Sequence, residues 1–485
     1  MPDAPVVSLS SGRVRGVRDG AVDRFLGVPY AAPPFGSRRH LPPQPPEPWD
    51  GERDATAFGA TAPQSPYPPA LRPYLPTVEI GGLDILTVNV WTPADRPDDG
   101  ALPVLVFVHG GALTRGSAAL PIYDGTTFAR HGIVFVSVQY RLGQEGFAVL
   151  DDAPLNLGIL DQEAALRWVR REIASFGGDP TRVTAMGQSA GANTLAALVA
   201  APQAEELFDQ VILQSGPLRA QPRKKAGRMS REIARRLRIP LSREGFGSET
   251  PSALVAAQTE ISAQATPLSS GPSVAVTVGE DTVPVDPLGV LLAGAGNGIP
   301  VVIGSTREEY RLWFVPGGTL DRIRWMTVTL ARLASGVPRR IVAAHRRRNP
   351  AARPGEVLGE IVGDMLVRGP LTRWADSRRA GDAAPTWVYE FRWKSPIDGL
   401  GACHALELGF VFDALDSPDA VALGGSSAPD ALARAMHGAW VSFVVDGDPG
   451  WEAWSSRHPV QAFDADGGHI DYAPRADELA GLPTR

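Results

Sequence analysis

Five short runs, Val104-Leu-Val-Phe-Val108, Ile133-Val-Phe-Val-Ser-Val138, Val183 to Met186, Val211-Ile-Leu213 and Val301-Val-Ile303, are apolar at almost every position rather than at alternate ones. A strand with one wet face alternates, whereas a strand apolar throughout has both faces covered. Helical patterns separate most of these runs; in Asp161 to Phe176, for example, Ala164, Ala165, Trp168, Val169 and Ile173 recur near helical spacing. Such alternation predicts an α/β fold with a large, mainly parallel central sheet flanked by helices on both faces. The first hundred residues read instead as antiparallel β: Val6 to Leu9, Arg13 to Val17 and Ile85 to Trp91, linked by proline-rich loops. From about Gly216 to Ser262 and from about Trp313 to Asp382 the chain is helical, arginine-rich and without convincing strands, which predicts helical insertions over 216–262 and 313–382. Trp387-Val-Tyr-Glu-Phe391 returns to strand, and Ala428 to Val445 reads as a long amphipathic helix. No repeat, low-complexity block or Pro/Ser linker divides the 485 residues, so one domain spanning 1–485 is expected.

The formal net charge of −6 argues against a nucleic-acid surface or a polybasic membrane anchor, and Arg346-Arg347-Arg348 reads as a solvated helix end. No apolar run approaches the ~20 residues of a membrane span. The start, Met1-Pro-Asp-Ala-Pro5, lacks the charged and apolar regions of an export signal, so a cytoplasmic location is expected. Cys403 is the single cysteine, which excludes an intrachain disulfide and a multi-cysteine zinc site.

One string carries chemistry. Gly187-Gln188-Ser189-Ala190-Gly191 follows the apolar run Val183 to Met186 and precedes the small-residue run Ala192 to Ala201. A Gly-flanked serine between strand and helix has the form of a nucleophile elbow. Its glycines avoid side-chain collisions in a strained turn, and its position at a helix N-terminus leaves backbone N–H groups facing a developing oxyanion. With 52 glycines in the chain the string alone is a weak signal, and its strand–turn–helix context gives it weight.

A serine nucleophile needs a base, and the base needs an acid. His40, His109 and His131 precede Ser189, whereas the elbow order places acid and base after it. His345 and His437 fall within helices, and His458 and His469 in segments that read as peripheral. His404 follows the Trp387 to Phe391 strand in a glycine-bearing loop and is the best-placed candidate. For the acid, Glu308 and Glu309 both follow the Val301 to Ile303 strand, and either could instead pair with Arg307 or Arg311. His109-Gly110-Gly111-Ala112 follows the Val104 to Val108 strand, where an oxyanion loop belongs.

Along nearly its whole length the chain resembles the type-B carboxylesterases, the family of bacterial para-nitrobenzyl esterases, mammalian carboxylesterases and cholinesterases. The resemblance rests on Phe25-Leu-Gly-Val-Pro-Tyr-Ala-Ala-Pro-Pro-Phe-Gly36, Trp49 to Gly59, Asn89-Val-Trp-Thr-Pro93, Tyr140-Arg-Leu-Gly143, Asn156-Leu-Gly-Ile-Leu-Asp-Gln162 and Phe176-Gly-Gly-Asp-Pro180. It implies the α/β-hydrolase fold with helical insertions around an active-site gorge, and a triad of Ser189, Glu309 and His404. It also implies oxyanion amides from Gly111, Ala112 and Ala190 with Gly110 shaping the loop, and triad support from Ser215. Leu113, Gln188, Leu312 and Trp313 are the implied pocket residues. The implied activity is cleavage of small-molecule carboxylic esters through an acyl-enzyme, without metal or cofactor, by a monomer or weak homo-oligomer. Amide, carbamate or lipid hydrolysis and a non-catalytic scaffold role are the alternatives.

Departures from the pattern are few. Ala62 and Ile85 occupy the positions of the family's first disulfide, as suits an intracellular member. Gln188 stands where the family usually has Glu, which removes a negative charge beside the serine and weakens attraction for cationic substrates. Tyr310 replaces a glycine in the acid loop and Leu83-Asp-Ile-Leu86 replaces E-D-C-L, two changes able to reshape the pocket.

Overall fold

The computed structural model describes residues 4–96, 101–264, 271–279, 282–379 and 383–483. Its strands are β1 (Val17–Asp19), β2 (Val22–Pro29), β3 (Thr87–Pro93), β4 (Leu102–Val108), β5 (Val134–Val138), β6 (Gly178–Gln188), β7 (Gln210–Gln214), β8 (Val301–Thr306), β9 (Thr386–Phe391), β10 (Pro459–Phe463) and β11 (His469–Tyr472). They form an eleven-stranded sheet in the order β11-β10-β9-β8-β7-β6-β4-β5-β3-β2-β1. Every neighbouring pair from β5 to β10 is parallel, and the two margins are antiparallel. Six helices matter below: α1 (Leu157–Glu172), α2 (Ala190–Val199), α3 (Trp325–Ser335), α4 (Arg339–Arg348), α5 (Pro354–Gly363) and, near the C-terminus, α6 (Asp430–Asp446).

The continuous apolar runs are explained by two cores, one on each face. Val104, Val106 and Val108 point into one, with Ala185, Val211, Leu213 and Ile303 and with Leu166 and Val169 of α1. Leu105 and Phe107 point into the other, with Met186, Ile212, Tyr389 and with Met436, Trp440 and Phe443 of α6. The strand repeat of two therefore sends every side chain to a buried face. Cutting a buried aromatic such as Trp440, 1% exposed, to alanine costs about 3–5 kcal/mol by the lost contacts and the cavity left.

Helices fill much of 216–262 and of 313–379, residues 380–382 lying outside the described residues; Gln221–Pro222, inside the first stretch, pairs with Thr277–Val278, beyond it, as a two-residue parallel ladder. The N-terminal hairpin, Val6–Leu9 with Gly12–Arg15, forms a separate three-stranded sheet with Glu52–Asp54 and does not join the large one. β2, β10, β11 and the short Glu52–Asp54 strand were not legible as strands. β2 carries Asp23 and Arg24 among its apolar residues, and Gly27 within it has φ 69° at a break in register.

Candidate active site

Sheet order brings the candidate residues together. β4, β6, β7, β8 and β9 are neighbours, all parallel, and His109-Gly110-Gly111, Ser189, Ser215, Glu309 and His404 follow their respective carboxyl ends. Loops at this edge converge because each parallel strand ends on the same side.

The elbow is built by the backbone. Ser189 has φ 55° and ψ −117°, outside the regions L-residues favour, and it caps α2. Its amide donates to Gln214 O at 2.8 Å, and its carbonyl accepts from Asn193 N at 2.9 Å. A Cβ at Gly191 would lie 2.1 Å from Val108 O, and one at Gly187 would lie 2.7 Å from Ala192 N, so neither position admits a side chain. Gly111 (φ 117°), Ala112 (φ 56°) and Leu113 (φ 61°) carry the neighbouring loop through three successive positive φ values. Among the described residues no loop or cap hydrogen bond is donated by the amides of Gly111, Ala112 or Ala190. His109 is a brace: its Nδ1 lies 2.8 Å from Gly110 O, its carbonyl accepts from Tyr140 Oη at 2.8 Å, and its ring stacks on Tyr140. Burial pushes its pKa down to about 4.

The acid–base side is built by side chains. His404 Nδ1 lies 2.5 Å from Glu309 Oε2. Glu309 Oε1 accepts from Ser215 Oγ at 2.7 Å and from Thr306 N at 2.9 Å. Burial alone would raise the Glu309 carboxyl, but His404, Ser215 and the Thr306 amide together hold it below its ordinary value. Burial opposes charge on His404 as well, and the Glu309 charge and hydrogen bond override it, raising the imidazole above 6.5. The two glutamates that the sequence left unresolved separate here. Glu308 pairs with Arg311 at 2.7 Å, and both its carboxylate and its amide bond to Ala402, stapling the acid loop to the loop that bears His404.

Nε2 of His404 faces Gln188 Nε2 at 3.3 Å, so the Gln188 amide donates to the ring nitrogen that Glu309 leaves free. Trp313 packs against the same ring, with centroids 4.7 Å apart. Both belong to a cavity of about 220 Å³ that also takes in Gly110, Gly111, Ala112, Ser189, Leu312 and His404. Leu113 is absent from that wall; it is 4% exposed and packs in the core beneath the sheet. Tyr310 also turns away from the cavity. Its ring fills the space over Gly359, where a Cβ would come within 2.1 Å, and joins Phe314 and Leu320 in a separate apolar cluster. Leu83 is 64% exposed and likewise not on the wall.

Two groups at the site leave no recognisable mark in the sequence. Tyr67, Leu71, Tyr74 and Leu75 of an irregular proline-rich loop form one side of the cavity, and irregular loops carry no periodic signal. Glu407, three residues after His404, is fully buried, neither carboxylate oxygen has a hydrogen-bond partner among the described residues, and burial together with the Glu309 charge pushes it up to about 7. Among the described residues no cluster of metal-ligating side chains occurs, and no helix is long and apolar enough to cross a membrane.

A family model described as the carboxylesterase family matches residues 3–466. The para-nitrobenzyl esterase of Bacillus subtilis (strain 168) is 34% identical over 475 residues, covering 93% of this chain and 92% of that protein. The phenmedipham hydrolase of Pseudarthrobacter oxydans is 35% identical over 463 residues, covering 92% and 90%. Among solved structures, a carboxylesterase of Geobacillus stearothermophilus superposes with a TM-score of 0.87 at 34% identity, covering 99% of this chain and 100% of that one.

Proposed function

The chain belongs to the carboxylesterase family and is a serine ester hydrolase of the α/β-hydrolase fold, and we propose that Ser189 is its nucleophile, His404 its base and Glu309 its acid. The observation that carries this assignment is the 2.5 Å contact between Glu309 and His404 Nδ1, which leaves Nε2 to serve the cavity that contains Ser189. When an ester enters, His404 Nε2 exchanges the Gln188 amide for the Ser189 hydroxyl and takes its proton as Oγ bonds to the carbonyl carbon. Glu309 stabilises the imidazolium. The oxyanion is held by the amides of Gly111, Ala112 and Ala190, each worth about 3–4 kcal/mol in such sites. His404 then returns the proton to the departing alcohol. Water enters, loses a proton to the same nitrogen and attacks the acyl carbon; His404 then passes that proton to Ser189 Oγ as the acyl bond breaks, releasing the carboxylic acid and restoring the hydroxyl.

The cavity supports small, uncharged substrates. Its volume of about 220 Å³ lies below the range of drug-sized sites, and Leu71, Leu75, Leu312, Trp313, Leu408 and Leu423 supply an apolar wall. Gln188 in place of a carboxylate puts no charge beside Ser189, and the charged residues on the wall, Arg115 and Asp419, are of opposite sign. The test is a panel of para-nitrophenyl acetate, butyrate and octanoate, butyrylthiocholine, one anilide and one carbamate. Highest kcat/KM on the short uncharged esters is expected; preference for butyrylthiocholine would reject the pocket reading, and preference for the anilide or carbamate would move the activity to that bond. One chain acting as one domain is the proposed working unit, since every group invoked comes from this chain. A cytoplasmic location is proposed from the single, buried Cys403, which fits a reducing compartment.

A further inference from the structure

The net charge of −6 conceals a local reversal. Between Asp321 and Glu356 the chain has nine arginines and no acidic residue. α3 and α4 occupy this stretch, and Arg346 near the end of α4 sits 4.8 Å over the Trp325 ring at the start of α3, so the basic helix lies beside the apolar one. Arg347, Arg348 and Arg353 find carboxylates in Asp477, Glu478, Asp321 and Glu356; Arg339, Arg340 and Arg346 find none among the described residues.

α3 itself is apolar on both sides. Val328 seats it inward at 2% exposure, while Met326, Leu330 and Leu333 stand out at 73%, 59% and 61%. Their spacing of four and three residues aligns them in one stripe. Under the helix runs a groove of about 190 Å³ walled by Ala331, Leu358, Ile361, Val362 and Met365, with Leu366, 49% exposed, also lining it. An exposed aliphatic stripe with tryptophan and arginine at its margin has the make-up of a helix that lies in a lipid interface. A second copy of the chain is a poor occupant, because a two-fold contact would set this arginine cluster against itself. Nucleic acid would leave the aliphatic stripe and the groove unsatisfied.

We propose that α3 and α4 form a docking face for an anionic lipid surface, with Met326, Leu330 and Leu333 entering the acyl boundary and Arg339, Arg340 and Arg346 meeting the headgroups. The face lies outside the catalytic cavity, and the proposal does not depend on the roles of Ser189, Glu309 and His404.

Co-sedimentation of the full chain with vesicles of phosphatidylglycerol and phosphatidylcholine, against phosphatidylcholine alone, tests it. Binding to the anionic vesicles at least tenfold tighter, and weakened by added salt, is expected. The pair Met326→Gln and Leu330→Gln, and separately the pair Arg339→Gln and Arg340→Gln, should each weaken that binding tenfold or more. Both pairs should leave para-nitrophenyl butyrate turnover and the melting temperature unchanged, because all four side chains are exposed. Ser189→Ala should bind vesicles like the parent, which separates docking from catalysis. Absence of vesicle binding, or binding unmoved by either pair, would overturn the proposal. So would a dimer in sedimentation velocity that the apolar pair dissolves, since the stripe would then belong to a second copy.

Discussion

The two halves of the candidate site are made of different material. On the Ser189 side, geometry comes from the main chain: strained φ at Ser189, a run of positive φ at Gly111 to Leu113, and glycines at 187 and 191 that leave no room for a Cβ. On the His404 side, geometry comes from side chains: Glu309 held by Ser215 Oγ and Thr306 N, and His404 held by Glu309 and Trp313. A backbone-built half has no room for an added side chain, whereas a side-chain-built half depends on the charge and hydrogen bonds its groups carry.

The largest effect that separates them is expected at Gly191→Val. Its Cβ meets Val108 O and no flexible atom can yield, so a loss of about 4 kcal/mol or more, or failure to fold, is expected in urea denaturation. Normal stability would show that the elbow can relax and would erase the contrast.

On the other side, Glu309→Gln keeps the shape and removes the charge. A drop of about 10³–10⁴-fold in kcat with near-normal stability is expected, while Glu308→Gln should leave kcat within about tenfold and instead lose the Arg311 pairing, seen as a lower melting temperature. Equal effects of the two changes on kcat would dissolve the distinction between the adjacent glutamates.

The pH profile sharpens the same point. The base must be neutral, and its pKa is raised above 6.5 by Glu309, so kcat/KM should fall tenfold per unit as pH drops below that raised value. In whatever activity Glu309→Gln retains, the acid limb should move to lower pH. An unmoved limb would mean that another group is being titrated. Smallest of all, Ser215→Ala removes one of the two hydrogen bonds to Glu309 Oε1 and is expected to cost about 1–2 kcal/mol of transition-state stabilisation, roughly tenfold in kcat.

The same division explains what could be read from the sequence. Gly187, Ser189, Gly191 and Gly110-Gly111 were legible because a backbone that must adopt positive φ or pass close to another chain leaves glycine as its mark. The parallel core was legible because burial on both faces writes unbroken apolar runs. The acid was not legible from residues alone: Glu308 and Glu309 are adjacent and chemically alike, and only the meeting of two loops from β8 and β9 makes one a partner of His404 and the other a partner of Arg311. Family resemblance implied Glu309; in the structure Glu309 contacts His404 and Glu308 pairs with Arg311. Leu113 was placed near the pocket because it follows the oxyanion loop, yet the positive φ values there turn its side chain into the core. Tyr310, read as able to reshape the pocket, packs over Gly359 instead, and Glu407 went unread, for a related reason: their partners, Gly359 in one case and Glu309 in the other, are distant in sequence.

In the proposed mechanism Ser189 alone carries the acyl group. This is tested most directly by treating the protein with a fluorophosphonate and locating the adduct by mass spectrometry in the tryptic peptide 183–219. One adduct per chain on Ser189, lost in Ser189→Ala, is expected. An adduct on Ser215 or outside that peptide, or labelling that persists in Ser189→Ala, would contradict it.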